Sequence, residues 1–224
     1  MGLTNRSVGA HAVDTGLVIE KQTREDRVIA LAGNPNVGKS TVFNALTGMN
    51  QHTGNWPGKT VSNAQGYCRT KRHSYVMVDI PGTYSLMAHS AEEEVARNFL
   101  CFGGADAVVV VCDATCLERN LNLVLQTLEI TPNVVVCVNL MDEARRKRIR
   151  IDLGALSRRL GVPVIGVIAR KKKSLSALTE TLDRLSDGAQ TRPAAVRYPE
   201  PVEQAIATVE PLVRARVGGR LPSR

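Results

Sequence analysis

One glycine-rich stretch has the composition to hold phosphate groups. Residues 33–40 read GNPNVGKS, match the pattern G-x-x-x-x-G-K-[ST], and stand between a strand-like apolar run and an amphipathic helical one. Glycines in such a loop let backbone N–H groups surround phosphate oxygens, while Lys39 can pair with the β and γ oxygens and Ser40 can ligate Mg²⁺. The stretch therefore predicts a nucleotide site. We assign to it Gly33, Asn34, Pro35, Asn36, Val37, Gly38, Lys39, Ser40 and Thr41.

Two further motifs select the nucleotide. Residues 79–82 read DIPG, and we expect Asp79 to hold Mg²⁺ through water and the Gly82 N–H to sense a γ-phosphate. Residues 139–142 read NLMD, in which the carboxylate of Asp142 can accept two hydrogen bonds from the guanine ring edge. Adenine offers no such donor pair. Three motifs in this order, each after a predicted strand, predict a domain that binds GTP and GDP.

The base-contact motifs depart from the usual pattern at two points. Leu140 stands where N-K-x-D has lysine, and its apolar side chain can still lie on the base beside Asn139. The last base-contact loop is best matched by residues 168–170, where a backbone N–H of Ala169 or Arg170 can contact the guanine oxygen.

The only tryptophan lies in a predicted switch loop. Residues 54–62 read GNWPGKTVS, and a GTPase needs a mobile loop here with a threonine that reaches Mg²⁺ when γ-phosphate is present. Thr60 is the candidate, and Thr53 is the alternative. Three interpretations stay open for Trp56: a partner contact, a lid over the nucleotide pocket, or a residue packed against the domain.

Apolar runs alternate with helical patterns along most of the chain. Runs of strand length occupy residues 28–32, 75–80, 107–112, 134–138 and 162–168. Helical patterns occupy residues 91–100, 117–128, 153–160 and 175–185. This alternation predicts an α/β P-loop GTPase fold, with a mostly parallel six-stranded sheet and helices on both faces. Residues 64–72 would form the one antiparallel strand.

The composition divides the chain into three parts. We expect a flexible extension over residues 1–26, a GTPase domain over residues 27–187, and a linker with a partial helical domain over residues 188–224. The last part holds one short helical segment, because Val202, Ile206, Val209 and Val213 fall on one helical face. The beginning lacks the apolar centre of a secretory signal, and no apolar run approaches the ~20 residues of a membrane span. We therefore expect this chain to be cytoplasmic and, as given, soluble.

Charge and cysteine content constrain the function less than the motifs do. The formal net charge of +8 comes from two short basic runs, residues 143–150 and 170–173. Such runs indicate a solvated surface, an RNA patch or a face near anionic lipid headgroups. The 5 cysteines have no metal-site spacing and favour reduced packing residues.

Several motifs together resemble the N-terminal GTPase domain of FeoB, the bacterial ferrous iron transporter family. They are GNPNVGKSTVFNALTG, QHTGNWPGKTVS, DIPGTYSL, DATCLERNLNL and NLMD. The resemblance covers residues 27–185 and extends to the YPEPVEQAI segment, where the family begins a helical domain.

The resemblance implies a cation-assisted hydrolysis. Similar proteins use the residue matching Asn36, with switch carbonyls near Asn55 and Trp56, to bind K⁺ beside the phosphates. Thr83 stands where signalling GTPases have a water-orienting Gln, so slow hydrolysis is the expected baseline. The residues expected to serve catalysis are then Asn36, Lys39, Thr60 and Gly82, with Ser40, Thr60 and Asp79 at Mg²⁺.

The family also implies a partner. It couples this domain to a membrane permease that passes Fe²⁺, which would place the chain at the cytoplasmic face of the cell membrane as part of a longer protein. Two other interpretations stay open: a ribosome- or tRNA-associated GTPase, and a sensor that binds GTP and barely turns it over. No RNA module follows residue 187, so we do not expect nucleic acid as a partner.

Overall fold

The fold is that of a computed structural model, which describes residues 17–48, 51–56, 61–87, 90–194 and 200. Within these residues the strands are β1 Arg27–Gly33, β2 Gln51–Asn55, β3 Ser62–Arg69, β4 Ser74–Asp79, β5 Ala107–Asp113, β6 Val134–Asn139 and β7 Val164–Gly166. The α-helices are α1 Lys39–Thr47, α2 Ala91–Phe102, α3 Leu117–Ile130, α4 Met141–Arg146, α5 Leu153–Leu160 and α6 Ser176–Ser186. A 3₁₀ turn, Lys172–Leu175, leads into α6.

The strands form one sheet in the order β2-β3-β4-β1-β5-β6-β7. β4, β1, β5, β6 and β7 are parallel, and β3 is antiparallel to both of its neighbours. The α/β fold class and the single antiparallel strand are confirmed, but the sheet has seven strands instead of six. The strand that we did not predict is β2, whose sequence QHTGN has no apolar alternation. Its strand character comes from main-chain pairing with β3, from Gln51 opposite Gly66 to Asn55 opposite Ser62.

Helices cover both faces of the sheet, as predicted. Alternate residues of β1 divide between the two faces, with Ile29 and Leu31 packed in the cluster under α1 and α6. Val28 and Ala30 pack in the other cluster, under α2, α3 and α5. The parallel strands β5 and β6 are buried along nearly their full length, because both faces are covered.

The described part of the expected extension lies along β3. The Glu20 N–H donates to Gln65 Oε1 at 3.2 Å, Gln65 Nε2 donates to the Val18 carbonyl at 2.9 Å, and the Tyr67 hydroxyl donates to the Glu20 carbonyl at 2.9 Å. Within the extension that we expected over residues 1–26, Val18, Glu20 and Asp26 are hydrogen-bonded to β3 and β4. The partners in β3 are 45 and 47 positions away in sequence, so local composition does not reveal them. Residues 1–16 lie outside the described residues.

The helix α4 was not predicted as a separate element, because it is only 6 residues long. The helical segment at Val202, Ile206, Val209 and Val213 lies outside the described residues.

Candidate nucleotide site

The loop between β1 and α1 is shaped by residues that adopt positive φ. Asn36 has φ 66° and Gly38 has φ 81°, both in the left-handed region that favours Asn and Gly. A Cβ at Gly38 would lie 2.5 Å from Asn139 Nδ2, and one at Gly33 would lie 2.7 Å from the Val111 carbonyl oxygen. Both glycines therefore let the loop pass close to neighbouring strands, which draws its backbone into a tight curve before α1.

A buried ion pair lies beneath this loop. The ammonium of Lys39, the first residue of α1, contacts the carboxylate of Asp79 at the end of β4. Their side chains are only 11% and 15% exposed. A cation suited to phosphate and a carboxylate suited to a hydrated Mg²⁺ are thus held side by side.

The DIPG turn is fastened to the same loop by the backbone. The Ile80 N–H donates to the Leu31 carbonyl at 3.2 Å, and the Thr83 N–H donates to the Gly33 carbonyl at 3.1 Å. Gly82 abuts Pro35, since a Cβ on Gly82 would lie 3.3 Å from the Pro35 backbone. The second motif therefore lies against the phosphate loop, as the sequence predicts.

Asn139 joins the base-contact loops to the phosphate loop. This side chain, in a residue that is 1% exposed, donates to the Val37 carbonyl at 3.1 Å and accepts from the Ala169 N–H at 3.1 Å. We predicted Asn139 as part of the guanine reader, but sequence reasoning missed that its amide bridges two loops. The N-x-x-D spacing marked the residue, and only the fold reveals its partners.

The predicted base-reading residues stand on adjacent loops. Leu140 has φ 61° and precedes α4, so that Asp142 falls in the first turn of that helix. The Met141 N–H donates to the Val167 carbonyl at 3.3 Å, which joins this turn to the loop that carries Ala169 and Arg170. Ala169 is buried and its N–H donates to Asn139 Oδ1, whereas Arg170 is exposed.

A cavity of about 510 Å³ collects most of the predicted phosphate residues. It is lined by Asn34, Pro35, Asn36, Gly38, Lys39, Ser40, Thr41 and Gly82. The buried amide of Asn34 makes no hydrogen bond with any described residue, so this polar group is available to a ligand or to a rearranged loop. A larger cavity of about 590 Å³ lies elsewhere, between α1, β3 and α6, and contains none of the predicted motifs. The chemistry of the lining, not the volume, identifies the site.

Trp56 is packed inside the domain. It is 3% exposed, and its ring meets Phe99 of α2 edge-on with centroids 5.3 Å apart. Of the three interpretations of Trp56, packing against the domain is the one found, and a lid or an exposed partner contact is not. Asn55 is exposed beside it. Thr60, the predicted switch threonine, lies outside the described residues, whereas the alternative Thr53 lies in β2.

The cysteines behave as packing residues where they are buried. Burial raises the pKa of the Cys68 thiol to about 11 and raises the pKa values of Cys112 and Cys137 as well. These thiols are therefore protonated at neutral pH. Among the described residues, no group of three or more His, Cys, Asp or Glu side chains is placed to hold a metal ion.

The geometry agrees with a known family. The FeoB_N family model, described as ferrous iron transport protein B, matches residues 27–182 of the chain. The chain belongs to the FeoB_N family. The resemblance noted from the motifs is thereby confirmed.

The curated relatives are FeoB proteins. The Fe(2+) transporters FeoB of Salmonella typhimurium and Escherichia coli K12 are each 42% identical to the chain over 178 residues, which is 78% of this chain. The chain spans 23% of the length of these curated relatives.

Solved FeoB structures share the fold. The cytosolic domain of T. maritima FeoB in its GMPPNP form has a TM-score of 0.80 and 37% identity, covering 85% of this chain and 75% of that one. The cytosolic domain of L. pneumophila FeoB has a TM-score of 0.78 and 37% identity, covering 84% and 74%. The chain is therefore a FeoB G domain with the P-loop GTPase fold.

We predict that Gly38→Ala weakens GDP binding about tenfold or more, because displacing the loop by a fraction of an ångström misplaces its N–H groups. Gly48→Ala is the matched control. Gly48 ends the same helix with φ 63°, but a Cβ there meets no atom within 4 Å. Both variants acquire similar backbone strain, so titration with fluorescent GDP separates strain from the clash. Equal affinities for the two variants would contradict the proposed loop geometry.

Proposed function

We propose that this domain binds GTP and GDP with Mg²⁺, hydrolyses GTP slowly, and serves as the nucleotide switch of a ferrous iron transporter. The observation that carries the proposal is the meeting of Lys39, Asp79 and Gly82 at one glycine-rich loop, to which Asn139 joins the base-contact loops. Relatives that crystallised with GDP and GMPPNP have the same fold, which supports a nucleotide as the ligand.

The residues present fit a magnesium ion. Ser40 offers a hydroxyl and Asp79 a carboxylate, and oxygen ligands of this kind suit Mg²⁺, which keeps several of its waters. We assign Thr60 as a further ligand in the GTP state. When bound, the ion neutralises charge on the β and γ phosphates. In that state Lys39 would exchange its contact with Asp79 for phosphate oxygens, which frees the carboxylate to face the hydrated ion.

Thr83, which stands at the position of the water-orienting Gln, supports slow hydrolysis. Thr83 is 1% exposed, its hydroxyl donates to the Ser85 carbonyl, and it lies 3.3 Å from a carboxylate oxygen of Glu93. A buried hydroxyl that is already bonded to the protein does not orient an attacking water. Stabilisation of the transition state must then come from charge placed elsewhere.

We propose K⁺ as the source of that charge. Asn36 is exposed at the rim of the phosphate loop, and its φ of 66° turns the chain there sharply. Its side-chain oxygen and the carbonyls of Asn55 and Trp56 would form a donor set of neutral oxygens suited to a monovalent cation. When bound, the ion would offset the charge that develops between the β and γ phosphates during hydrolysis.

We propose that the remainder of the transporter lies in a permease outside this chain. The named relatives are Fe(2+) transporters, and the 178 matched residues make up only 23% of their length. Within the part of the chain that the structure describes, no helix has the length and apolar character to cross a bilayer. The domain would then act at the cytoplasmic face of the cell membrane, and the nucleotide state would control Fe²⁺ passage in the permease.

The basic runs suit an anionic membrane surface at that location. Residues 145–150 and 170–173 are exposed, and they follow the neighbouring parallel strands β6 and β7 at the same edge of the sheet. The only ion pair found within them joins Arg146 to Glu143, among the described residues. The two runs carry no aromatic side chain on which nucleic-acid bases could stack, which favours lipid headgroups over RNA.

Replacing Asn36 by Gly should abolish stimulation of GTP hydrolysis by K⁺. Glycine keeps the positive φ without strain, so only the side chain is lost. We expect the wild type to hydrolyse GTP roughly tenfold or more faster in KCl than in NaCl, and the variant to show equal rates in both salts. Phosphate release is the measurement, and GDP affinity is the control for folding. Equal rates of the wild type in the two salts would contradict the cation mechanism.

Neutralising Arg145, Lys147 and Arg150 by Gln should weaken binding to phosphatidylglycerol vesicles about a hundredfold, at roughly fivefold per residue. The matched control, Lys21, Arg24 and Lys71 to Gln, makes the same charge change at the opposite edge of the sheet. Vesicle sedimentation at physiological salt measures both, with phosphatidylcholine vesicles as the uncharged reference. Equal losses in the two triple variants would show that only net charge matters, and preferential binding to an RNA oligonucleotide would replace the lipid assignment.

A further inference from the structure

An aromatic contact joins the predicted switch loop to the helix that follows the DIPG motif. Trp56 directly follows β2, and Phe99 lies in the third turn of α2. Their rings meet edge-on at 5.3 Å with an angle of 73° between planes, and the two residues are 3% and 1% exposed. Edge-to-face pairs of this geometry add to the stabilisation from burial alone.

The ring of Phe99 is itself held in place by the backbone. A Cβ on Gly103 would lie 2.4 Å from the Phe99 ring, so the ring packs over a position that only glycine leaves open. The Gly103 N–H donates to the Phe99 carbonyl at 2.7 Å, which ends the helix at that point. Phe99 is therefore a fixed surface against which Trp56 rests.

Trp56 also closes the switch loop at its base. Its backbone N–H donates to the Val61 carbonyl at 2.7 Å, which holds residues 56 and 61 together. This hydrogen bond lies next to the buried indole ring of Trp56. Asn55 and Trp56, whose carbonyls we assign to K⁺, stand at the same point.

Burial of the Trp56 indole leaves one of its polar groups without a partner among the described residues. The indole N–H is buried and makes no hydrogen bond with any described residue. An unpaired buried donor opposes burial, so the ring stays in place through apolar and aromatic contact alone. Loss of the Phe99 ring would allow the indole to move out and regain a hydrogen bond with water.

We propose that Phe99 is a positioning residue for GTP hydrolysis that acts through Trp56. By packing against the indole, Phe99 fixes the backbone of Asn55 and Trp56, whose carbonyls we assign to K⁺. This inference rests on the proposed function, because it assigns to Phe99 the geometry of the K⁺ site. Phe99 touches neither nucleotide nor cation and is not a catalytic residue.

Phe99→Leu tests the proposal, with Phe102→Leu as the matched control. Both residues lie in α2, but Phe102 is 52% exposed. Because Trp56 is the only tryptophan, its emission reports the seat directly. We expect Phe99→Leu to shift the emission to the red and to raise quenching by acrylamide severalfold, and Phe102→Leu to leave both unchanged.

The kinetic arm separates positioning from general destabilisation. We expect Phe99→Leu to raise the KCl concentration for half-maximal hydrolysis about tenfold or more, while the rate in NaCl and the GDP affinity stay as in the wild type. A merely structural role would also lower the rate in NaCl and the GDP affinity. Unchanged emission or an unchanged KCl dependence in Phe99→Leu overturns the proposal.

A second variant and the emission measurement cover the two remaining outcomes. If Phe99→Leu does not fold, as judged by circular dichroism and thermal unfolding, Phe99→Met fills the space with a flexible apolar chain and lacks the aromatic ring, and the same outcomes apply to it. If the wild type itself shows no K⁺ stimulation, the cation mechanism of the proposed function fails. The emission comparison then decides alone whether Phe99 seats Trp56.

Discussion

The arrangement of the site depends on the buried side chain of Asn139. Its amide donates to the Val37 carbonyl in the phosphate loop and accepts from the Ala169 N–H in the last base-contact loop. Its backbone carbonyl accepts from the Ala114 N–H after β5. One residue thus connects the loops at the ends of four parallel strands. Gly38 must be a glycine because any side chain there would collide with this amide.

The electrostatics of the site follow from the closeness of these loops. With the phosphate loop and the DIPG turn held together, Lys39 and Asp79 face each other in a mostly buried position. A buried ion pair contributes little net stability because of its desolvation cost, which makes this pair suited to exchange partners when phosphate and a divalent cation compete for it. The same crowding leaves Thr83 buried and hydrogen-bonded, so the turn that could orient water is committed to structure. This arrangement agrees with the slow hydrolysis that we propose.

The parts of this fold that depend on local pattern could be predicted from the sequence. Buried strands such as β5 are continuous apolar runs, and the phosphate loop has a glycine and lysine spacing that its chemistry requires. The strand β2 could not be predicted, since QHTGN is polar and becomes a strand only by pairing with β3. The packing of residues 17–26 depends on hydrogen bonds to Gln65 and Tyr67 far along the chain.

The site shows the same division between local and long-range information. The phosphate and guanine motifs could be proposed from the sequence because each is a short stretch with its own chemistry. It left the position of Trp56 open, since the residue that buries it, Phe99, is 43 positions later and belongs to another element. The bridging role of Asn139 was missed for the same reason. Contacts between elements decide how the motifs are held, and a single sequence contains no direct signal for them.

We propose that Asp142 reads a guanine base held at the carboxyl edge of this sheet. Calorimetric titration of the wild type and of Asp142→Asn with GDP, xanthosine diphosphate and ADP tests it most directly. We expect the wild type to bind GDP at least about a hundredfold more tightly than ADP. A carboxylate placed to accept two hydrogen bonds rejects a base that lacks the two N–H donors. We further expect the Asn variant to lose affinity for GDP and to gain affinity for xanthosine diphosphate. Equal binding of GDP and ADP by the wild type, or no gain for xanthosine diphosphate in the variant, would contradict this proposal.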